Sequence, residues 1–512
     1  MSTQASNKRI AKNTLFLYFR MLFTMVVTLF TSRVVLQVLG VNDYGIYQTV
    51  GGVVAMLSFL NGALSSGSSR FLTFELGKED TKKLKETFST TLFIHIILAL
   101  LIAIVAETAG LWFVCNKLLI APDRLGAAVF AYHLSILTAI ITITQVPYTA
   151  SIISHEKLDI YAYMSIVEVS LKLGIVYLLT ISTWDKLKMY ATLLCFVQIG
   201  IALFYRYYCT RRFMETRFHW KIDKGIAKNV LEYSGWNLWA NTSIALNNQG
   251  TIILLNMFFS PAVVAARAIA NQVNMAANQF VQNFRTAANP QIVKRYAAGD
   301  YDGSKKLLLE STKYSYYLML MLCLPICLVT EPLLDLWLDE VPPYTTIFLQ
   351  LTLVTSLFQV FDTSFYTALY AKGQIKENAL VSPTLGFLSF PLIYVLFRCG
   401  YSPISLAWVM LVLYAILGLV VKPILIIKIV EYRWSDIRYV FFYCLKVTLL
   451  AVPLPCLLYY TQGSLSLGRW TAFVLLILIS VICVAIAIWF AGIDENMRKK
   501  IIDFAKRKLN KS

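Results

Sequence analysis

The chain has 512 residues, of which 58% are hydrophobic and only 14% charged, with a formal net charge of +18 and a mean hydropathy of +0.64. Soluble domains run at about 45–50% apolar and about 25% charged, so this mixture excludes a soluble globular protein and indicates an integral membrane protein. Basic loops that set membrane topology and meet anionic headgroups account for the positive charge, which leaves no role for a nucleic-acid partner.

A helix needs about 20 apolar residues to cross about 30 Å of hydrocarbon. In chain order, fourteen stretches meet that length: 13–35, 44–66, 87–109, 126–149, 161–181, 187–208, 233–256, 261–285, 313–334, 344–370, 379–398, 404–428, 438–460 and 469–491. No cleavage pattern precedes the first span and it is too long for a signal peptide, so it is expected to stay in the protein. With the N-terminus inside, most of the 46 Lys and Arg residues fall on one face. They comprise the N-terminal tail, the loops after spans 2, 4, 6, 8, 10 and 12, and the C-terminal tail. Lys313 and Lys422 are counted among these inner basic residues. Span 8 is the weakest by hydropathy, yet deleting it would put its flanking loops on the wrong sides, so the alternation supports it. The nine cysteines show no metal-site spacing and read as small core hydrophobes.

Internal repetition is visible in two places. "PYTASIISHEKLDIYA" (147–162) aligns with "FYTALYAKGQIKENAL" (365–380), and "GKEDTKKLKE" (77–86) with "GDYDGSKKLLLE" (299–310). An even number of spans separates each pair, which implies a parallel repeat about an axis along the membrane normal. The expected layout is all-α: two six-helix lobes, 1–222 and 223–430, related by a pseudo-two-fold repeat, followed by two additional helices and a basic tail over 431–512.

Span 8, "AVVAARAIANQVNMAANQFVQNFR" (262–285), carries two arginines and seven carboxamides. Arg267, Asn271, Asn274, Asn278, Gln282 and Arg285 are three or four residues apart and form one stripe. Such a face cannot look at lipid. Span 7 adds Asn237, Asn241 and Asn248 beside Trp236 and Trp239. Two readings fit: interhelical bonds that glue a bundle, or the wall of a hydrated cavity. A stripe as long as a helix and tipped with arginines favours the cavity.

Each charge at the bilayer centre costs at least about 2.5–3.5 kcal/mol on insertion scales, so intramembrane ionisable residues need a reason. Glu168 and Lys172, four apart, are expected to neutralise each other, and His95 and His133 read first as hydrogen-bonded core residues. Arg20 in span 1 and Arg267 in span 8 are harder to dismiss. Guanidinium forks favour phosphate and carboxylate, which points to an anionic cargo.

The segment "NKRIAKNTLFLYFRMLFTMVVTLFTSRVVLQVLGVNDYGIYQTVGGVVAMLSFLNGALSSGSSRFLTFELG" (7–77), with its "LGVNDYGIY" turn, and "YSGWNLWANTSIALNNQGTIILLN" (233–256) carry a family resemblance. The chain resembles the polysaccharide exporters, or lipid-linked O-unit (O-antigen) flippases, of the multidrug/oligosaccharidyl-lipid/polysaccharide (MOP) exporter superfamily. That resemblance implies two lobes around a central cavity and alternating access across the bacterial cytoplasmic (inner) membrane. The implied cargo is an undecaprenyl-pyrophosphate-linked oligosaccharide destined for surface polysaccharide or lipopolysaccharide. Arg20 and Arg267 fit, by helix, the arginines that related lipid flippases present to pyrophosphate.

On this reading the substrate-binding residues are Arg20, Arg267, Asn271, Asn274, Asn278, Asn237, Asn241, Trp236 and Trp239. The expected partners are the lipid-linked oligosaccharide, membrane lipids, and the polymerase and glycosyltransferases of the same pathway. No phosphate loop is present and no cofactor is expected. Proton or sodium exchange is the default energy source, with Asp362 the first candidate carrier and Glu107 the second. The rivals are a proton- or sodium-coupled drug/cation antiporter of the same superfamily and a membrane glycan polymerase. "DYD" (300–302) only superficially matches a glycosyltransferase metal motif.

Overall fold

The computed structural model describes the backbone of residues 3–499 apart from 58, 79, 156, 218, 220, 221, 375, 463–467, 496 and 497. Side chains are described from residue 22 onward, except at those positions and at 59–63, 66, 70, 77, 158, 233–238, 240, 286, 287, 290 and 376. Among the described residues there is no strand, and helices follow one another through short turns. The expected all-α membrane architecture is therefore present.

In chain order the helices are α1 (Thr3–Leu57), α2 (Phe59–Gly77), α3 (Thr81–Val105), α4 (Leu111–Lys117), α5 (Pro122–Ser154), α6 (Leu158–Ile181) and α7 (Lys186–Arg212). Then come α8 (Lys224–Ala245), α9 (Thr251–Phe258), α10 (Pro261–Ala297), α11 (Tyr301–Leu328), α12 (Thr330–Trp337), α13 (Thr345–Lys372) and α14 (Lys376–Arg398). The last are α15 (Ser405–Ile416), α16 (Lys422–Val430), α17 (Trp434–Ala451), α18 (Pro453–Thr461) and α19 (Arg469–Ala487). Single π-turns at Ala106–Gly110, Leu246–Gly250 and Leu417–Val421 join α3 to α4, α8 to α9 and α15 to α16.

Every predicted span has a helical counterpart, but among the described residues ten helices are long and apolar enough to cross a membrane, or eleven with the α11–α12 pair, bent by 80°. The shortfall from fourteen has physical causes. Spans 1 and 2 run together as one apolar stretch, Leu22–Leu57, interrupted only at Gly40, whose φ of 78° and ψ of 164° are open essentially to glycine. The α8–α9 segment and α10 are absent from the ten because asparagine, glutamine and basic residues dilute them, which is also what singles them out.

Two compact units emerge. The first holds the chain up to Ala268 with Leu338–Pro342 and Gly386–Arg398; the second holds Ile269–Trp337, Pro343–Leu385 and the chain from Cys399 onward. In the first unit, Phe88 packs edge-on to Tyr148 at 5.2 Å, in a cluster that also buries Leu72, Ile152 and Tyr205. In the second, Phe361 meets Tyr316 at 5.2 Å and Phe441 at 5.0 Å. Lys313, counted among the inner basic residues at the start of span 9, lies well inside α11 and is 1% exposed. Its ammonium lies 4.8 and 5.0 Å from the Tyr439 and Tyr443 rings of α17, so cation–π attraction replaces lost water.

Gly45, in the "LGVNDYGIY" turn, shows why a sequence motif can be steric. A Cβ there would come within 2.0 Å of the Pro261 carbonyl oxygen at the start of α10. Gly45→Ala is expected to destabilise the protein by about 1–3 kcal/mol through overpacking, read as a lower unfolding midpoint in detergent. An unchanged midpoint would show that this close approach does not form.

Candidate functional site

The centre of the α10 polar stripe is turned toward α13. Ser356 Oγ donates to Asn274 Oδ1 at 2.7 Å, and Asn278 Nδ2 donates to Ser356 Oγ at 3.1 Å and to Asn274 Oδ1 at 3.1 Å. One Arg285 nitrogen donates to the Thr363 carbonyl, and Thr367 Oγ1 donates to Asn289 Oδ1 at 3.4 Å. Asn278, Arg285 and Asn289 each meet the residue 78 positions further on. A constant offset over three turns means that α10 and α13 run in the same direction and in register. Asn271 is half-buried, while Gln282, at the edge of the stripe, is exposed beside Met275 and Gln279.

Directly beside this seam lies an ionic cluster. Asp362 Oδ1 on α13 is 3.1 Å from Lys422 Nζ on α16, with side-chain exposures of 17% and 3%. Lys422 also donates to Asn378 Oδ1 on α14 and sits 5.4 Å from the Tyr366 ring. Local structure explains how a lysine reaches so deep. The π-turn before α16 contains Gly418, where a Cβ would approach the Phe358 carbonyl to 2.5 Å, so the backbone there presses against α13 and delivers Lys422 to Asp362. Asp362 also attracts Arg285. Among the described residues of this cluster, two cations, Lys422 and Arg285, thus lie near the one carboxylate of Asp362.

Residues assigned from the sequence to one binding surface are spread over both units. Arg267 is 7% exposed among buried Val263, Val264, Ala266, Ile269 and Ala270, and belongs to the first unit. Trp239 there is 45% exposed and packs on Phe387 of α14 at 4.4 Å; Asn241 is half-buried. The side chains of Arg20, Trp236 and Asn237 lie outside the described residues.

Glu107 occupies the π-turn between α3 and α4. Tyr132 Oη, fully buried, donates to the Ala106 carbonyl at 2.9 Å. A Cβ at Gly110 would be 2.1 Å from that hydroxyl, so Tyr132 pins the turn. The neighbouring His133 then meets Glu107 Oε1 through Nδ1 at 2.9 Å. His95, by contrast, is buried and bonded through Nδ1 to its own helix at Thr91 O, 2.8 Å. Lys172 meets Glu168 at 2.7 Å, joined by Gln198 of α7 at 3.0 Å.

Sequence reasoning missed two groups. Lys422 is counted among the inner basic residues around the connection after span 12, although its place in the apolar run "LGLVVKPILII" signals a buried partner. The other is Arg124, which clasps Asp43 of α1 and Asp185 before α7, at 2.9 Å to Asp43 Oδ1 and 2.6 Å to Asp185 Oδ2. Burial pushes the Asp185 carboxyl up, but the hydrogen bond and charge of Arg124 and the Lys188 backbone N–H outweigh it and hold it below the usual carboxylate range. In "DYD", Asp300 caps α11 by accepting from the Gly303 N–H at 2.9 Å. No group of three or more His, Cys, Asp and Glu side chains among the described residues could hold a metal ion.

The fold is similar to that of solved transporters of the MOP superfamily. Residues 243–395 match the MatE family model. The chain is similar to the lipid II flippase MurJ in an inward closed conformation, with a TM-score of 0.69 and 11% identity over 92% of this chain and 97% of that one. It is also similar to an inward-facing multidrug resistance MATE family transporter, with a TM-score of 0.63 and 15% identity over 79% and 96% of the two chains. A third is a MOP superfamily transporter from Pyrococcus furiosus described by the reverse polarity of its binding pocket, with a TM-score of 0.57 and 14% identity over 80% and 93%. No curated protein matches the chain.

Proposed function

We propose that the chain is a flippase that carries undecaprenyl-pyrophosphate-linked oligosaccharide units across the bacterial cytoplasmic membrane by alternating access, with both termini on the inner side. The observation that carries this reading is the sign of the charge left among the described polar residues. Arg285 and Lys422 outnumber Asp362, and Arg267 is a further buried cation. A cationic drug would meet repulsion there; a pyrophosphate would not.

The mechanism follows from the chemistry of the cargo. A sugar chain and a pyrophosphate cannot cross hydrocarbon, where each unsatisfied polar group costs several kcal/mol. Arg20 and Arg267 hold the phosphates. The carboxamides of Asn237, Asn241, Asn271, Asn274 and Asn278, with the Trp236 and Trp239 rings, hold the glycan. For Asn274 and Asn278 this is an exchange, since glycan hydroxyls replace Ser356 and little net hydrogen-bond energy is lost. The polyprenyl tail stays in lipid. The test is reconstitution of the full chain in liposomes, scoring exposure of fluorescent undecaprenyl-pyrophosphate oligosaccharide on the far leaflet. Scrambling no faster than in protein-free vesicles would overturn the assignment.

The MatE match over 243–395 favours a second reading, drug or cation antiport. The same vesicles loaded with ethidium distinguish it, because gradient-driven ethidium movement without lipid exposure would select the antiporter.

For energy coupling, Glu107 is the stronger of the two carboxylate candidates. Glu107, with its partner His133, is 43% exposed, whereas Asp362 is 17% exposed and held by Lys422 at 3.1 Å. Glu107→Gln is expected to abolish the acceleration of transport by an imposed pH gradient. A variant that still responds fully to the gradient would remove Glu107 from the pathway.

A further inference from the structure

A cavity of about 300 Å³ lies inside the first unit between α1, α5 and α7, lined by Tyr47, Gly51, Ser135, Thr138, Thr142 and Ala191 among others. That volume is at the lower end of small-molecule sites. The three lining helices are the ones Arg124 ties together through Asp43 and Asp185. None of the lining residues carries a carboxylate, an ammonium or a guanidinium.

The hydroxyls are already committed as donors. Ser135 Oγ donates to Ala131 O at 2.8 Å, Thr138 Oγ1 to Leu134 O at 2.8 Å and Thr142 Oγ1 to Thr138 O at 2.9 Å. With each proton turned back to its own helix, the oxygens on this face of α5 keep only acceptor lone pairs. Residues 135, 138 and 142 are three and four apart, so the acceptors form a stripe. Tyr47 faces them from α1, its ring edge-on to Tyr190 at 4.8 Å, and supplies a flat aromatic surface with a polar tip. An acceptor stripe opposite an aromatic face, with no fixed charge, selects a neutral molecule rich in hydroxyl donors. A cation in this half-open space would find no counter-ion among the lining residues.

We infer that the α1–α5–α7 cavity is a subsite for one sugar ring of the transported glycan, separate from the α10–α13 seam. This rests on the proposed glycan cargo and names where part of it docks. Saturation-transfer NMR on the full chain in detergent, with free glucose, galactose and N-acetylglucosamine as probes, tests it. At least one sugar should receive saturation from the wild-type protein. The signal should fall to that of protein-free micelles in Ser135→Ala/Thr138→Val/Thr142→Val, which keeps the side-chain volumes nearly unchanged while removing the acceptors.

Gly51→Leu is the second variant. A Cβ at Gly51 has no atom within 4 Å and Gly51 lines the cavity, so a leucine side chain there starts in open space and occupies it, and the signal should again vanish. Undiminished signal in both variants, or no signal with any of the three sugars, overturns the subsite. So does ethidium binding that both variants abolish, which would give the cavity to cations. Sugar binding that is lost in both variants of a protein unable to expose lipid-linked oligosaccharide would keep the subsite and remove the function. Exposure of that lipid with no sugar signal would do the reverse.

Discussion

Arg267→Ala is expected to abolish surface polysaccharide in a host lacking its own flippase, while lipid-linked units accumulate in the inner membrane. The side chain is 7% exposed, among apolar neighbours of α10. A charge in the bilayer interior costs at least about 2.5–3.5 kcal/mol, so this guanidinium needs compensating partners, and the proposed function adds the cargo's pyrophosphate to them. Truncating one member of a buried, hydrogen-bonded charge pair costs about 2–5 kcal/mol. If that loss falls on the cargo's pyrophosphate, flipping slows by roughly one and a half to three and a half orders of magnitude. Arg267→Lys keeps the charge but not the fork, and should recover only part of the rate. Normal surface display by Arg267→Ala at normal protein levels would remove this residue from the transport path.

Asp362→Ala is expected to cost about 3–5 kcal/mol of stability, because it strands a buried cation. Lys422 is 3% exposed and 3.1 Å from that carboxylate, and Arg285 also feels its charge. Asn378 and the Tyr366 ring remain to Lys422, but neither carries a negative charge. The double variant Asp362→Ala/Lys422→Met should regain most of the loss, since replacing both members of a buried pair by apolar groups is often near neutral. Unfolding midpoints of the two single variants and the double variant close a mutant cycle. A single variant as stable as the parent would mean that the pair is not formed in the folded protein.

The spans were legible because hydrophobic length is a local property, written in about 20 consecutive residues. The α10 stripe was legible for the same reason, through spacings of three and four. Partnerships were not. Asn278 and Ser356 are 78 positions apart, Lys422 and Asn378 are 44 apart, and Arg124 reaches Asp43 across 81. Lys313 and Lys422 read as cations at the inner ends of their spans because hydropathy cannot distinguish a lysine that ends a span from one that tyrosines or a carboxylate hold inside. Gly418 and Gly45 carried a hint, but what a missing Cβ makes room for depends on a distant backbone.

By itself the sequence determined an all-α membrane protein, the approximate place of its spans, and one helix too polar to face lipid. Those follow from the cost of exposing polar backbone and side chains to hydrocarbon, which acts on each segment separately. Only the tertiary structure decided that the stripe faces α13, that Asp362 is tied to Lys422, and that three hydroxyls of α5 border a cavity with α1 and α7. Packing decided those points, because which groups meet depends on π-turns, glycine contacts and helix register that no single segment encodes.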